Sequence, residues 1–403
     1  MEYKEPASGL AESASVPLAA RKRLTVPREV LALAIVITVP LLFYRSIGPG
    51  SRAAFGSNYE QMAIARSLVT GHGFANPFGY ATGPTAAYAP VHPLMLATIL
   101  FLQGDRPPAA LALVLTEVAI QTLGVVLLLY IAAATLASWI PGAMAACAVL
   151  LGTWPLPQWE SSTAWLAFEA VFLCALLGVR WSWTGAVMGL GWLVSPALGP
   201  ASLAVAWLLR GRKHVMASAA IAMIVIAPWV ARNWLVMRTP IFLRDNFGLE
   251  LFLSNNDLAG TREEDAEAER YHRWHPGSNA AVATELARAG EPQYFGQLQS
   301  EALGWIRRHP ARFLQLTVSR IWMWWASSWL VAGISLLAFV GLWINRRTTI
   351  GKASLAGLLI FPVPYYLIQF NPRYAYPVLW LAALMAGDVC FRWVRRFAPA
   401  RER

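Results

Sequence analysis

Apolar residues in this chain gather in long blocks, not at the two-residue spacing of a half-buried strand or the three-to-four spacing of an amphipathic helix. Ten blocks stand out, near 30–46, 110–136, 139–155, 162–179, 183–197, 198–210, 215–236, 327–345, 353–370 and 374–394. A helix needs roughly 20 apolar residues to cross a bilayer. The pattern therefore predicts an all-α integral membrane protein with about ten transmembrane helices. The fifth and sixth blocks are short and meet at Ser195-Pro196, so they form either one broken helix or a tight hairpin, and the count ranges from nine to eleven. The run from His92 to Leu102 is too short to cross and is expected to lie on, or dip into, the outer surface.

Composition agrees with the blocks. Hydrophobic residues make up 57% of the chain and charged residues 14%, against about 25% charged in a soluble domain. Nineteen Trp and twelve Tyr suit aromatic belts at two interfaces. The net charge of +11 is no sign of nucleic acid, because the basic residues sit beside the blocks. Arg21, Lys22, Arg23 and Arg28 precede the first, Arg210, Arg212 and Lys213 follow the sixth, and Arg346, Arg347 and Lys352 separate the eighth and ninth. Arg392, Arg395, Arg396, Arg401 and Arg403 end the chain. With ten spans all fall on one side, which the bias of Lys and Arg toward cytoplasmic loops makes the cytoplasm. The expected organisation is a cytoplasmic segment over residues 1–29, a polytopic domain over 30–394 and a basic cytoplasmic tail over 395–403. The first block resembles a signal-peptide core, but the polar segment before it is long and no cleavage site follows, so an uncleaved anchor is expected. Cys147, Cys174 and Cys390 lie in apolar runs and form no CxxC or disulfide framework.

Two long segments are left outside, at about 45–109 and 237–312. The first contains SNYEQMAIARSLVTGHGFANPFGYATGPTAAYAPVHP, a polar, Gly- and Pro-rich stretch of the length that is often functional. Within it YEQMAIARSL reads as a short helix whose Met62, Ile64, Ala65 and Leu68 turn inward and aim Glu60 into a groove; a solvated Glu on a loop helix is the plainer alternative. The second holds half of the chain's 22 acidic residues. Its REEDAEAER stretch reads as a solvated helix, and QLQSEALGWIRRHPARFLQLTVSRIWMWW as an interfacial amphipathic helix that turns into a span.

Several other side chains carry possible chemistry. Glu160 belongs at the outer start of the fourth span, and Glu169 lies about 13 Å deeper, where a carboxyl is costly and marks either function or a protonated, hydrogen-bonded Glu. Glu117 in the second span is equally ambiguous, whereas Asp388 is best paired with Arg392 at i+4. Arg232 and Arg373 stand at the outer ends of the seventh and tenth spans beside aromatics, suited either to a phosphate or to snorkelling. His92 is placed to donate to the same phosphate or to cap a turn between prolines. No nucleotide-binding, zinc or hydrolase motif occurs, so any group-transfer donor is expected to arrive through the lipid phase.

Four segments together resemble the GT-C superfamily of membrane glycosyltransferases, particularly the family-39-like bacterial proteins related to protein O-mannosyltransferases and the aminoarabinose transferase of lipid A. They are YEQMAIARSLVTGHGF with GPTAAYAPVHPLML, PWVARNWLVMRTPIFLRDNFGLELFLSNN, EALGWIRRHPARFLQL, and NPRYAYPVLWLAAL. They occur in the family's order and extend over nearly the whole chain. The resemblance implies a multi-pass enzyme of the inner, cytoplasmic membrane that moves a sugar from a polyprenyl-phosphate donor to a lipid, glycan or protein hydroxyl on the extracytoplasmic face, with inversion. It implies Glu60 as general base, Arg232, Arg373 and His92 as holders of the donor phosphate, and Asn58, Tyr59, Tyr88, Asn255 and Asn256 as lining of the substrate groove. No metal or cofactor is demanded. The chain departs from the family at Ser57-Asn58, where relatives carry an Asp. Either Glu60 has taken over, or Glu160 or Glu169 serves, or the protein is inactive. A polyprenyl-lipid transporter and a non-catalytic member of the scaffold are the competing classes.

Overall fold

The computed structural model of the chain describes residues 26–46, 59–105, 107–152, 159–265 and 267–397. Asn58, expected in the groove, and the basic residues at 21–23, 401 and 403 lie outside the described residues. Eighteen helices and no strand occur among the described residues, in keeping with the all-α expectation.

The first helix, α1 (Arg28–Ser46), packs its start on the end of α4 (Pro107–Leu136), with Val26 and Val30 against Leu129 and Ala133. Between them in sequence, α2 (Glu60–Val69) and α3 (Val91–Gln103) pack on each other through Met62, Ala65, Leu96 and Leu100. After α4 come α5 (Ile140–Gly152), α6 (Trp159–Leu177), α7 (Trp181–Trp192), α8 (Leu198–Arg210) and α9 (Arg212–Met237). The short pair α7 and α8 forms a hairpin: the chain turns at 193–197, and the Trp192 indole donates to Ser202 Oγ at 3.0 Å across it.

Helix α9 lies along α7 at backbone distance because α7 carries Gly185 and Gly189. A Cβ at Gly185 would meet Ser218 O at 2.3 Å, and one at Gly189 would meet the Val225 Cβ at 2.7 Å. Small residues four apart permit this approach, the packing used where lipid removes the hydrophobic drive between helices.

The second polar segment folds into α10 (Phe247–Ser254), α11 (Glu267–Trp274), α12 (Ala280–Ala289) and α13 (Glu291–Arg308). Their apolar faces meet each other: Leu249 and Leu253 of α10 pack on Tyr294, Phe295 and Leu298 of α13. The chain continues as α14 (Pro310–Ala326), bends by 85° into α15 (Trp329–Ile344), and ends through α16 (Thr349–Ile360), α17 (Val363–Tyr366) and α18 (Pro372–Phe397).

The core is centred where α6 and α18 run side by side. Trp165 meets Tyr376 edge-on at 5.4 Å, and Phe172 meets Trp380 at 5.4 Å, so both helices start at the same end of the bundle. The opposite end holds Arg210, Arg346 and Arg392. Arg210 donates to the Ala175 carbonyl at the end of α6, and Asp388 near the end of α18 accepts from Asn345 at 2.8 Å and from Arg392 at 2.8 Å. The last contact is the i+4 pair expected from the sequence.

Among the described residues, four helices are long and apolar enough to cross a membrane: Ala109–Leu136, Glu160–Leu177, Arg212–Met237 and Pro372–Phe397. The bent pair α14–α15 makes a fifth if it is one span, and Val91–Gln103, Ile140–Leu151 and Leu198–Arg210 are apolar but shorter. Much of the outer surface is apolar: Val36, Leu115, Leu190, Ile224, Leu336 and Trp343 are all exposed. Apolar exposure on this scale fits a lipid-facing belt.

Candidate functional site

At the end of the bundle away from Arg210, Arg346 and Arg392, helix termini surround a cavity of about 900 Å³, a size suited to a small-molecule ligand. Tyr59 and Gln61 at the start of α2, Tyr88, His92, Glu160 at the start of α6, and the 195–197 turn form one wall. Arg244, Asn246 and Glu250 form another, and Arg373 and Tyr374 open α18 beside them. Leu359, Ile360, Val363, Pro364 and Ile368 give the side bounded by α16 and α17 an apolar lining.

Two arginines reach the cavity with nitrogens to spare. Arg244 donates from Nε to the Ala87 carbonyl at 3.0 Å, lies over the Tyr88 ring at 4.6 Å and stands 3.5 Å from Glu160 through Nη1. Its Nη2 has no protein partner among the described residues. Burial opposes its charge, but Glu160, the phenols of Tyr88 and Tyr365, and Glu250 hold it protonated. Arg373 stands 3.7 Å from Glu263 and 3.4 Å from the Tyr374 hydroxyl, both through Nη2, leaving Nε and Nη1 without protein partners among the described residues. Tyr374 stacks on Tyr365 at 4.8 Å, an aromatic shelf beside the two guanidinium groups.

The carboxylates differ sharply in their surroundings. Glu160 is held by Arg244 and by the Gln61 amide. Among the described residues, Glu250 has only the Asn246 amide, at 3.4 Å. Burial, reinforced by Glu263, pushes the Glu250 carboxyl up to about 7, with Arg244 and Arg373 acting against that rise. Glu60 starts α2 as expected, but it faces the Nε2 of His275 at 3.6 Å and is not part of the cavity wall. The backbone N–H of Gly277 donates to His275 Nδ1 at 3.0 Å, which leaves the proton of the neutral ring on Nε2, toward Glu60. Burial keeps this imidazole below its ordinary range, against the pull of Glu60 and Glu263. Tyr271 stacks on the ring at 4.6 Å and fixes its plane.

Of the other residues expected in the site, Tyr59, Tyr88, His92, Glu160 and Arg373 do line the cavity. Burial pushes the His92 imidazole down to about 4, so it faces the cavity neutral. Arg232 does not line it. Its guanidinium lies over Phe74 at 5.4 Å and Trp229 at 5.1 Å and donates at 2.7 Å to both the Phe74 and Thr85 carbonyls. It clamps the first long segment to α9, a role that uses the donors a phosphate would need. Glu169 is fully buried within α6 and away from the cavity wall. Asn255 and Asn256 are also buried structural residues: Asn255 donates to Leu251 O and Leu367 O at 2.9 Å, and Asn256 to Phe252 O at 2.8 Å.

The expected solvated helix over REEDAEAER holds in part: Arg262, Glu264, Asp265 and Glu269 are exposed and α11 starts at Glu267, but one residue turns inward. Arg270 is fully buried and donates to Leu253 O at 2.8 Å, to Glu263 O at 2.6 Å and to the Gln369 side chain. Glu263 accepts from the Asn371 amide and faces Arg373. Arg320 of α14, equally buried, binds Asn255 Oδ1 at 3.2 Å, Leu367 O at 3.1 Å and Ser254 O. Two buried arginines thus tie the carbonyl end of α10 to the segment that leads into Arg373, where positive charge also complements the helix C-terminus.

Sequence reading missed Arg244, Glu250, Glu263 and His275. All four come from the second polar segment, where charges are so frequent that none stands out. The signals that were present are weak: an Arg followed by Asp-Asn-Phe-Gly, and a lone Glu between leucines in FGLELFL. Among the described residues, no three His, Cys, Asp or Glu side chains are grouped to hold a metal ion. Comparison with known protein families, characterised proteins and solved structures finds no match to this chain.

Proposed function

We propose that this chain is a multi-pass membrane glycosyltransferase that transfers a sugar from a polyprenyl-phosphate donor to an acceptor hydroxyl. The observation that carries the reading is the meeting of Arg244 and Arg373, each with uncommitted nitrogens, in one cavity that also has an apolar side. Guanidinium groups bind phosphate through paired N–H donors and keep their charge when partly desolvated. The apolar lining at Leu359, Ile360 and Val363 suits the first prenyl units, and the tyrosine shelf suits a sugar face.

In this reading the acceptor oxygen attacks the anomeric carbon from the side opposite the phosphate and the configuration inverts. The C–O bond to phosphate breaks, its electron pair stays on the phosphate oxygen, and Arg244 and Arg373 stabilise the charge that develops there. His92, neutral at the wall, donates a further hydrogen bond.

The ten apolar blocks of the sequence are read as ten passes of the inner, cytoplasmic membrane. The short helices α5, α7, α8 and α16 reach partway alone, and their turns complete the crossing. The end that holds Arg210, Arg346 and Arg392 then lies in the cytoplasm, and the cavity end lies outside, open to acceptor and to lipid.

The test uses purified protein in nanodiscs, offered a panel of polyprenyl-phosphate-linked hexoses and pentoses, with release of free polyprenyl phosphate measured. Arg244→Ala and Arg373→Ala are each expected to weaken binding of polyprenyl monophosphate by roughly 10- to 100-fold, as loss of a charge-assisted hydrogen bond does. Recovery of every donor lipid unchanged, despite tight binding, would replace the transferase with a lipid carrier or transporter.

A further inference from the structure

The cavity wall holds two carboxylates, Glu160 and Glu250. Glu160 is committed to Arg244 and Gln61, and an ion-paired carboxylate is a weak proton acceptor. Two more carboxylates stand nearby but outside the wall: Glu263 faces Arg373, and Glu60 faces His275. Of the two carboxylates on the wall, only Glu250 lacks a cationic side chain within ion-pair distance among the described residues; Glu60 faces the neutral His275 ring, but from outside the wall. Glu250 sits on α10 one turn beyond Asn246, whose amide, at 3.4 Å, is its only hydrogen-bond partner among the described residues.

The support for Glu250 is rigid. Gly248, two residues earlier, touches the α13 backbone so closely that a Cβ would lie 2.1 Å from Phe295 O. The far end of α10 is held by Arg270 at Leu253 O and by Arg320 at Ser254 O. A carboxylate held on a pinned helix, inside a substrate-sized cavity and without a direct ion pair among the described residues, has the properties a general base needs.

We infer that Glu250, and not Glu60 or Glu160, takes the proton from the acceptor hydroxyl. The inference rests on the transferase reading above. As the acceptor O–H bond breaks, its proton passes to a Glu250 carboxylate oxygen, the oxygen forms its bond to the anomeric carbon, and polyprenyl phosphate leaves with the electron pair of the broken bond. Product departure lets Glu250 return the proton to solvent. Glu60 is then a positioning residue that joins α2 to the His275 turn.

The groups that face Glu250 electrostatically are Glu263, Arg244, Arg373 and Glu60, with the phenols of Tyr88, Tyr271 and Tyr374. Its elevated protonation midpoint, about 7, gives the sign of the pH dependence: turnover rises as pH is raised through that value, because only the ionised carboxylate accepts a proton.

The deciding variants are Glu250→Gln and Glu250→Asp in full-length protein in nanodiscs. Polyprenyl monophosphate serves as binding probe, and release of it from the donor panel reports turnover. Glu250→Gln is expected to bind the probe within about 3-fold of wild type and to lose turnover by at least about 100-fold. Glu250→Asp is expected to recover part of the rate with its pH midpoint shifted down. Turnover by Glu250→Gln within a few-fold of wild type, with an unchanged pH profile, would overturn the inference while the transferase reading stands. Loss of probe binding together with turnover in Glu250→Gln would also overturn it, by making Glu250 part of the fold or the donor site. Wild-type protein that fails to turn over every donor would overturn the reading and this assignment with it.

Discussion

Arg232 and Arg244 show how much a side chain's use depends on what its donors already hold. Both stand near the cavity end, and both are flanked by aromatics. Arg232 spends its terminal nitrogens on the carbonyls of Phe74 and Thr85, the first of which also accepts from the Thr85 N–H at 3.1 Å. Arg232→Ala is therefore expected to cost about 3 kcal/mol of stability, two charge-assisted hydrogen bonds being lost at once, seen as a lower midpoint in thermal unfolding. A second residue-scale effect comes from Asp245 and Glu291. Their carboxyls interact directly, and burial raises both above the ordinary carboxylate range. Glu291 accepts from the Ala86 N–H at 2.6 Å and from the Thr85 hydroxyl. Because the folded state favours the protonated form, the stability this pair adds is full below the ordinary carboxylate range and is lost as pH rises through the elevated folded values. Amide exchange at Ala86 is expected to lose protection over that window, and Glu291→Gln to flatten the loss.

At the scale of elements, α10 is the piece on which the site depends. Its eight residues are too few to be stable alone, and it is held by backbone contact with α13 at Gly248 and by two buried arginines at its other end. Gly248→Ala is expected to destabilise the protein by about 1–3 kcal/mol, since the added methyl must push α10 off α13. It should also slow turnover more than it weakens polyprenyl-phosphate binding, because Glu250 moves with the helix while Arg373 stands on α18. Equal loss of both would show that α10 carries no separate catalytic role. The helices themselves were largely legible in the sequence. YEQMAIARSL forms α2, the apolar blocks form the bundle, and the Asp388–Arg392 spacing gives the pair it suggests. The site was legible only in part. Tyr59, Tyr88, His92, Glu160 and Arg373 could be picked out because polar groups beside apolar blocks are few. Glu250, Glu263 and His275 could not, because the segment they share is rich in charges and only burial separates those that face the cavity end.

On the scale of the whole molecule, the cavity, with Arg244 and Arg373, lies at the end opposite Arg210, Arg346 and Arg392. If that opposite end is cytoplasmic, a membrane-impermeant maleimide should label Ser300→Cys in intact cells and Arg347→Cys only after lysis, in protein whose three natural cysteines are replaced. The reverse pattern would invert the orientation and put the cavity on the cytoplasmic side.

By itself the sequence determined that the chain is helical and suited to lipid, since long apolar blocks bounded by Arg and Lys leave the backbone no other way to satisfy its hydrogen bonds in a bilayer. It also determined that most of the polar chemistry lies in two segments between those blocks, with Glu160 and Arg373 at the block ends. Only the tertiary structure decided which of those polar groups meet. Arg232 is consumed by carbonyls close in space but some 150 residues away in the chain, while Glu250 is left in a cavity without an ion pair among the described residues. Whether a charge is spent on holding the fold or remains for a ligand is set by partners remote in sequence, and local pattern carries no record of them.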